Sequence, residues 1–563
     1  MIRAAAALAA LIAFPLAGGG LPAQTGDALA ARVDSLLSPW NRRDTPGCAL
    51  GIDRAGEPLL RRAVGMANLE SAAPWTVETL SESGSVAKQF TAAALVLLAL
   101  DGKLRLDDEA IRWVPEVAGV GRRITIRHLL THTSGLPDRY TLHEVEGRPA
   151  GEVDHPNTEV IDVVSRLRRL NFDPGEDYLY SNTGYIVAAT IIERVSGRTL
   201  QQFTEERIFR PLGMSRTRWR EDHRVVVPGR AAAYSGALER GFRNDHPFTR
   251  VIGSGGLLTT VDDFLRWQAA LQRGPAPWGA VRDSIERVGR LNDGTLLTYG
   301  LGVTADTWRG VRSVSHSGST GGYRAALARY PSQEVAVALL CNLGTIEPGG
   351  LARDLAAAVL GDALAAAPAP PRPIAVDSAE LASLAGVYHS PRTEEVLVLR
   401  HGTGGLLFGR TGNRALISIA PGRFRHPQAE VFFTVWRVEN GPPLRLVVEP
   451  ANGREVEYLR VDPPLSSPAE LAAYAGTYRS SELGAELRLA VERDTLRLLR
   501  GWRTSQALVP VYRDGFALPG QEYLRFTRGR GGRPDGFVLW AGRVRNLRFE
   551  RVPEAALGSS GRR

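Results

Sequence analysis

Residues 380–390 (Glu-Leu-Ala-Ser-Leu-Ala-Gly-Val-Tyr-His-Ser) return 90 positions later as residues 470–480 (Glu-Leu-Ala-Ala-Tyr-Ala-Gly-Thr-Tyr-Arg-Ser). Each unit then runs to a proline, Pro463 and Pro553, again 90 residues apart. A duplication of this length makes the last third of the chain two small folds of the same kind. Within each unit, short alternating runs such as Val-Leu-Val-Leu-Arg and Leu-Arg-Leu-Ala-Val are punctuated by Gly, Asn and Asp. That is the pattern of a small antiparallel barrel, whose closure leaves no free strand edge. The two barrels are placed at 379–463 and 467–553, the last ten residues, 554–563, being read as a disordered tail. The Ala/Pro-rich stretch 363–378 before them reads as a stiff extended linker.

The remaining residues, 27–362, are enough for one large domain. Leu29 to Trp40 reads as an amphipathic helix, and Cys48 to Asp53 and Pro58 to Val64 as strands joined by a turn. A long run of helix formers begins at Ser85 and ends at Asp101-Gly102. Further helices are expected at 157–170, 184–195, 200–209 and 261–271, the last opened by Thr260 and Asp263 in capping-box spacing. Closing strands follow between Val314 and Leu340. Strands at both ends imply an α/β domain whose termini meet in one sheet. Ahead of it, Arg3, an apolar run to Ala17 and small residues to Ala23 form a secretory leader, 1–23, too short to span a bilayer comfortably. The mature chain is therefore expected to be periplasmic or extracellular, with no integral membrane segment.

The net charge of +9 raises the question of nucleic acid. Residues 27–362 carry 40 acids and 40 bases, whereas 363–563 carry 20 acids and 28 bases, so the excess lies in the tail. No Lys/Arg run with interleaved aromatics occurs, and a solvated basic surface, not a nucleic-acid partner, is expected. The two cysteines, Cys48 and Cys341, sit in apolar strand-like runs and read as separate buried thiols, although an exported chain could join them. His128 and His132, four apart, read as packing residues, because no third metal ligand accompanies them. Of the 69 basic residues only Lys88 and Lys103 are lysine. Arginine keeps its proton near neutral pH and lysine can be tuned to lose it, so a lysine in this chain points to chemistry.

Three motifs occur in order. Ser85-Val-Ala-Lys88 puts a hydroxyl and an amine three apart at a helix start, where a desolvated lysine can take the serine proton. Tyr180-Ser-Asn182 offers a phenol to relay that proton and an amide to hold a carbonyl. His316-Ser-Gly318-Ser319, followed by Gly321-Gly322, reads as an edge strand that a substrate backbone can approach, with the Ser319 amide joining that of Ser85 in an oxyanion hole. His316 would add a charge or hydrogen bond beside the substrate, which Asn182, His316 and Gly318 would bind. The Asp262-Asp263 pair reads as helix-start carboxylates.

Together the motifs resemble the three signature elements of the serine β-lactamase and penicillin-binding hydrolase superfamily. The connecting text at 127–137, 172–175, 211–214 and 253–264 is similar to its class C β-lactamase-like branch. The resemblance implies an antiparallel sheet flanked by helices with an all-α subdomain, and an acyl-enzyme on Ser85. It also implies Lys88 and Tyr180 as base and acid, and no cofactor or metal. The repeated tail resembles the lipocalin-like barrels of D-aminopeptidases in that branch. Histidine replaces the usual Lys-Thr-Gly lysine at 316, as in D-aminopeptidases and some DD-peptidases. The implied substrates are therefore small peptides, amides or esters, with D-aminopeptidase-like activity favoured. DD-carboxypeptidase or β-lactamase activity, or a slowly acylating β-lactam sensor, are the alternatives.

Overall fold

A computed structural model describes residues 26–148, 153–366, 373–403, 405–408, 414–427, 431–436, 445–450, 454–461, 467–500, 504–518 and 522–553. The expected leader, the centre of the Ala/Pro stretch and the tail lie outside these residues.

The large domain is built on an antiparallel sheet to which both its ends contribute strands. Its strands are β1 (Cys48–Arg54), β2 (Glu57–Val64), β3 (Thr304–Trp308), β4 (Val311–Thr320), β5 (Tyr323–Tyr330) and β6 (Val335–Cys341), in the order β3-β4-β5-β6-β1-β2. The termini meet where β1 pairs with β6, from Cys48 opposite Cys341 to Arg54 opposite Val335. Successive side chains on a strand face opposite sides, and β6 uses both. Val335, Val337 and Leu339 pack with α1 (Gly26–Leu37) and the last helix of the domain. Ala336, Ala338 and Leu340 face the larger core around Phe90, Phe264 and Trp267. That core is enclosed by α2 (Lys88–Leu100), α4 (Asn182–Ser196) and α5 (Val261–Arg273), with α3 (Arg139–Val145) lying against α4, while α6 (Pro348–Leu360) closes the other face beside α1.

Two local expectations are revised. Cys48 and Cys341 form a disulfide, their Cα atoms 4.0 Å apart across β1 and β6. The apolar pattern places both cysteines in buried strands but carries no information on register, which decides whether they meet. At the start of α5, Thr260 Oγ1 accepts from the Asp263 amide as in a capping box. The Asp263 carboxylate turns away, however, and accepts from the Arg216 amide and the Thr217 hydroxyl.

Each repeat forms a curled sheet of nine strands among the described residues, and the two sheets have the same order. In the first, Gly386–His389 pairs with Val456–Val461, so the first and last strands meet. The break falls between the consecutive strands Arg414–Ala415 and Ile417–Ala420. In the second, Gly476–Ser480 pairs with Val544–Arg551, and the break falls between Thr504–Ala507 and Val509–Tyr512. Equivalent tyrosines lock both entrances: Tyr388 Oη donates to the Leu384 carbonyl at 2.7 Å, and Tyr478 Oη to that of Tyr474 at 2.8 Å. No helix of the described residues is long and apolar enough to cross a membrane.

The second barrel is fused to the large domain. Leu142, Val145 and Val163 belong to the same buried cluster as Leu471, Leu483 and Phe549. Arg545 ties three units together, reaching Asp177 at 3.4 Å and Glu395 of the first barrel at 2.8 Å.

Candidate active site

Gly84 to Ala87 form a single 3-10 turn ahead of α2, and Ser85 lies in it, where the motif spacing had suggested regular helix. Side chains three apart eclipse one another in such a turn. Lys88 Nζ accordingly stands 3.1 Å from Ser85 Oγ. The turn is pressed against β4: a Cβ on Gly84, whose φ is +51°, would meet the Ser319 nitrogen at 2.6 Å, and one on Gly318 would meet the Ser83 carbonyl at 2.0 Å. Glycine at both places lets β4 approach the nucleophile turn, and it does so beyond Ser315, where pairing with β3 ends. Ser85 and Ser319 consequently line one cleft of about 540 Å³ together with Tyr180, Asn182 and His316.

Lys88 is wholly buried. Its ammonium would lose hydration there, and this desolvation holds the amine well below the ordinary lysine range. The nearby Asp138 carboxylate opposes the shift and the Arg543 guanidinium adds to it. Nζ also donates to Asn182 Oδ1 at 2.8 Å and to the Ser254 carbonyl at 2.7 Å. The Asn182 amide cannot turn over freely, because its Nδ2 and its backbone nitrogen both donate to Asp138 Oδ2, at 2.9 and 2.7 Å. Asp138 in turn caps α3, accepting from the Tyr140 and Thr141 amides.

Tyr180 extends over the lysine, with Nζ 4.9 Å from its ring centre. Its hydroxyl is buried and has no hydrogen-bond partner, although Ser85 is close enough to bias its titration. Burial raises the phenol above its ordinary value. His132, with φ at +60°, packs tilted against Tyr180 with ring centres 4.1 Å apart and accepts a hydrogen bond from the Ser181 amide through Nδ1. His128 instead faces Thr125, whose amide donates to its Nδ1, so the two histidines serve separate structural roles.

His316 is held at both nitrogens. Its Nδ1 lies 2.6 Å from the Ser317 carbonyl and must donate, which leaves Nε2 to accept from Tyr299 Oη at 2.9 Å. Burial, followed by the Lys88 charge, pulls its pKa down to about 4. The ring is thus a neutral, oriented group at neutral pH, and of the two roles expected for it, charge or hydrogen bond, only the second remains.

All five side chains of the three motifs are brought together, with the Ser319 backbone beside them. Asp138, His132, Tyr299, Ser254 and Arg543 join them; of these only His132 was named from sequence, as a packing residue, and the others were not singled out. The first two lie in or just after the Thr131–Pro137 segment, whose only signal was its likeness to the family's connecting text. Arg543 comes from the second barrel, across the hairpin between strands Pro534–Ala541 and Val544–Arg551.

Outside the cleft, His143, His155 and Glu159 are close enough to share a cation. Glu159 is already paired with Arg148 at 2.7 Å and with His155 at 3.0 Å, and the Arg139 charge bears on both histidines. These contacts fit a hydrogen-bonded network better than a metal centre.

The Beta-lactamase family profile matches residues 27–361. A D-aminopeptidase of Brucella ovis is 26% identical over 521 residues, covering 90% of this chain and 96% of the relative. Penicillin-binding protein 4* of Bacillus subtilis is 31% identical over 314 residues, covering 51% of this chain and 66% of the relative. Among solved structures, the octameric penicillin-binding protein homologue from Pyrococcus abyssi superposes with a TM-score of 0.54 at 21% identity, covering 85% of this chain and 99% of that one. With a profile match over more than half its length, and with that match spanning the cleft's serine, lysine and tyrosine, the chain belongs to the beta-lactamase family of serine hydrolases.

Proposed function

We propose that the protein is an exported acyl-transfer hydrolase that cleaves small peptides or amides, D-aminopeptidase-like substrates being favoured, by way of an acyl-enzyme on Ser85. The observation that carries the reading is the buried Lys88 amine beside Ser85 Oγ. A neutral amine has two N–H bonds and one lone pair. Asn182 Oδ1 and the Ser254 carbonyl take the two protons, and the lone pair is left facing the serine hydroxyl. Lys88 thus accepts the Ser85 proton as Oγ attacks the substrate carbonyl, and the Ser85 and Ser319 amides receive the oxyanion. Tyr180, whose hydroxyl is unpartnered, passes its proton to the leaving group and takes up in its place the one Lys88 received from Ser85; water, giving its proton back to the same pair, then attacks the acyl group and Ser85 leaves protonated. Asn182, His316 and Gly318 bind and orient the substrate.

Similarity to a D-aminopeptidase over nearly the full length of both chains, barrels included, supports the peptide and amide class. Export is supported by the leader-like N-terminus and by the disulfide, which persists in oxidising compartments. The histidine at 316, neutral at neutral pH, brings no cation of its own to a lactam carboxylate. A fluorophosphonate probe is expected to label the wild type and leave Ser85→Ala unlabelled; equal labelling of both would remove Ser85 as nucleophile. Turnover of D-alanine p-nitroanilide exceeding that of nitrocefin is expected, and the reverse order would favour the lactamase alternative.

A further inference from the structure

The second barrel sends one charged side chain into the cleft. Ala541 and Val544 pair across a two-residue turn, Gly542-Arg543, in which Gly542 takes φ of +52°. The turn is fastened to the large domain on both sides: the Arg543 carbonyl accepts from the Asp138 amide at 3.3 Å and from Asn171 Nδ2 at 3.0 Å, and the Arg545 amide donates to Asn171 Oδ1 at 2.6 Å. The guanidinium beyond this anchor lies 5.0 Å over the Tyr180 ring. It is 45% exposed. The carboxylate within ion-pair range is Asp138, 3.7 Å away, which is outside hydrogen-bond reach and already accepts from Asn182.

Among the described residues that line this cleft, Arg543 is the one permanent cation. His316 is neutral at neutral pH, and His246 is likewise pulled below its ordinary value by burial. Two carboxylates are among the lining residues: Asp245, whose backbone carbonyl packs against Gly321, and Glu144, which is itself engaged; the ion-pair contact of Arg543 is to neither but to Asp138. A guanidinium offers a planar fork of donors that matches a carboxylate, and one held with its donors free next to the reacting groups is arranged to receive one.

We propose that Arg543 is a specificity residue, and that the hydrolase selects peptides or amides bearing a carboxylate next to the scissile bond. This deepens the hydrolase reading and rests on it. It also gives the appended barrel a purpose: the fold of residues 467–553 delivers a substrate-reading cation that the large domain lacks at that place.

The test compares paired substrates on the full-length protein. N-succinyl-D-alanine p-nitroanilide against its uncharged N-succinamoyl counterpart places the carboxylate on the acyl side, with D-alanine p-nitroanilide assayed alongside. N-acetyl-D-alanyl-D-alanine against N-acetyl-D-alanyl-D-alaninamide places it on the leaving group. The quantity read is the ratio of kcat/KM within each pair for one protein, so any general loss of activity cancels. The wild type is expected to favour the carboxylate member of at least one pair. Arg543→Ala should cut that ratio about ten- to a hundredfold, the scale of a charge-assisted hydrogen bond. Arg543→Glu should invert the ratio, and Arg543→Lys should restore part of it. Ratios equal in the wild type, Arg543→Ala and Arg543→Glu would overturn the proposal, because an arginine that only tunes Lys88 or docks the barrel changes both members alike. A wild type that turns over a neutral member while preferring it leaves the hydrolase reading standing and sinks this one. A wild type inert to all four substrates and to D-alanine p-nitroanilide overturns both.

Discussion

At the scale of residues, the chemistry turns on a lysine that has lost its water. Lys88→Met should lower kcat/KM by about 10²- to 10⁴-fold, the usual worth of a positioned base. Lys88→Arg should do no better, since arginine keeps its proton. Activity needs the neutral amine, so kcat/KM should rise with pH through a limb set by Lys88. Burial moves that limb downward, and the rise should be complete before the ordinary lysine value of about 10.4. A rate still climbing there would contradict a desolvated base. His316 makes the opposite demonstration. Its pKa of about 4 means it does not titrate in the neutral range, and His316→Gln should leave no inflection near pH 6.5 to be lost. Below about 6.5 the unfolded histidine binds a proton that the folded one refuses, so the fold loses stability as pH falls from there towards 4. A melting-temperature profile of His316→Gln should be flatter over that window than that of the wild type. The scarcity of lysine and the order of the three motifs made Ser85, Lys88, Tyr180, Asn182 and His316 legible in sequence. Asp138 and His132 were not, because an aspartate that caps a helix and a histidine that packs against a tyrosine carry no spacing signature until the loop that holds them is folded.

At the scale of elements, the cleft exists because two glycine-bearing segments touch. The sequence pattern foretold the helix after Ser85 and an edge strand at His316, but their contact depends on a missing Cβ on each side. Gly318→Ala would drive a methyl group into the Ser83 carbonyl, and about 1–3 kcal/mol of stability should be lost to the overpacking. Displacing the Ser319 amide should also reduce kcat about 10²- to 10³-fold, as loss of one oxyanion donor does. Thermal melting and steady-state rates measured on the same preparation check both; an unaffected rate would place the oxyanion elsewhere. The strands of the large sheet were readable from apolar runs because β6 is buried on both faces, whereas the 3-10 turn at Ser85 was not, since it is imposed by packing against β4.

At the scale of the whole molecule, the repeat announced two barrels, and nothing in it announced where they would dock. The docking is set by Leu142, Val145 and Val163 under the second barrel and by the Arg545 contacts to Asp177 and Glu395. These groups lie 150 to more than 300 residues apart in the chain and show no mutual pattern. The same holds for the disulfide, whose cysteines are separated by 293 positions. Peptide mapping without reductant should recover Cys48 linked to Cys341, and replacing both by alanine should cost about 2–4 kcal/mol in denaturant unfolding. Free thiols in the folded protein would contradict the pairing. The central claim, that Ser85 carries the acyl group with Lys88 as its base, is tested most directly by acid-quenching the protein during turnover of an activated D-alanyl ester and mapping the adduct by mass spectrometry. A D-alanyl mass increment on the peptide containing Ser85, absent from Ser85→Ala and greatly slowed in Lys88→Met, is expected. Turnover with no adduct on that peptide, or an adduct that forms at the same rate without Lys88, would contradict it.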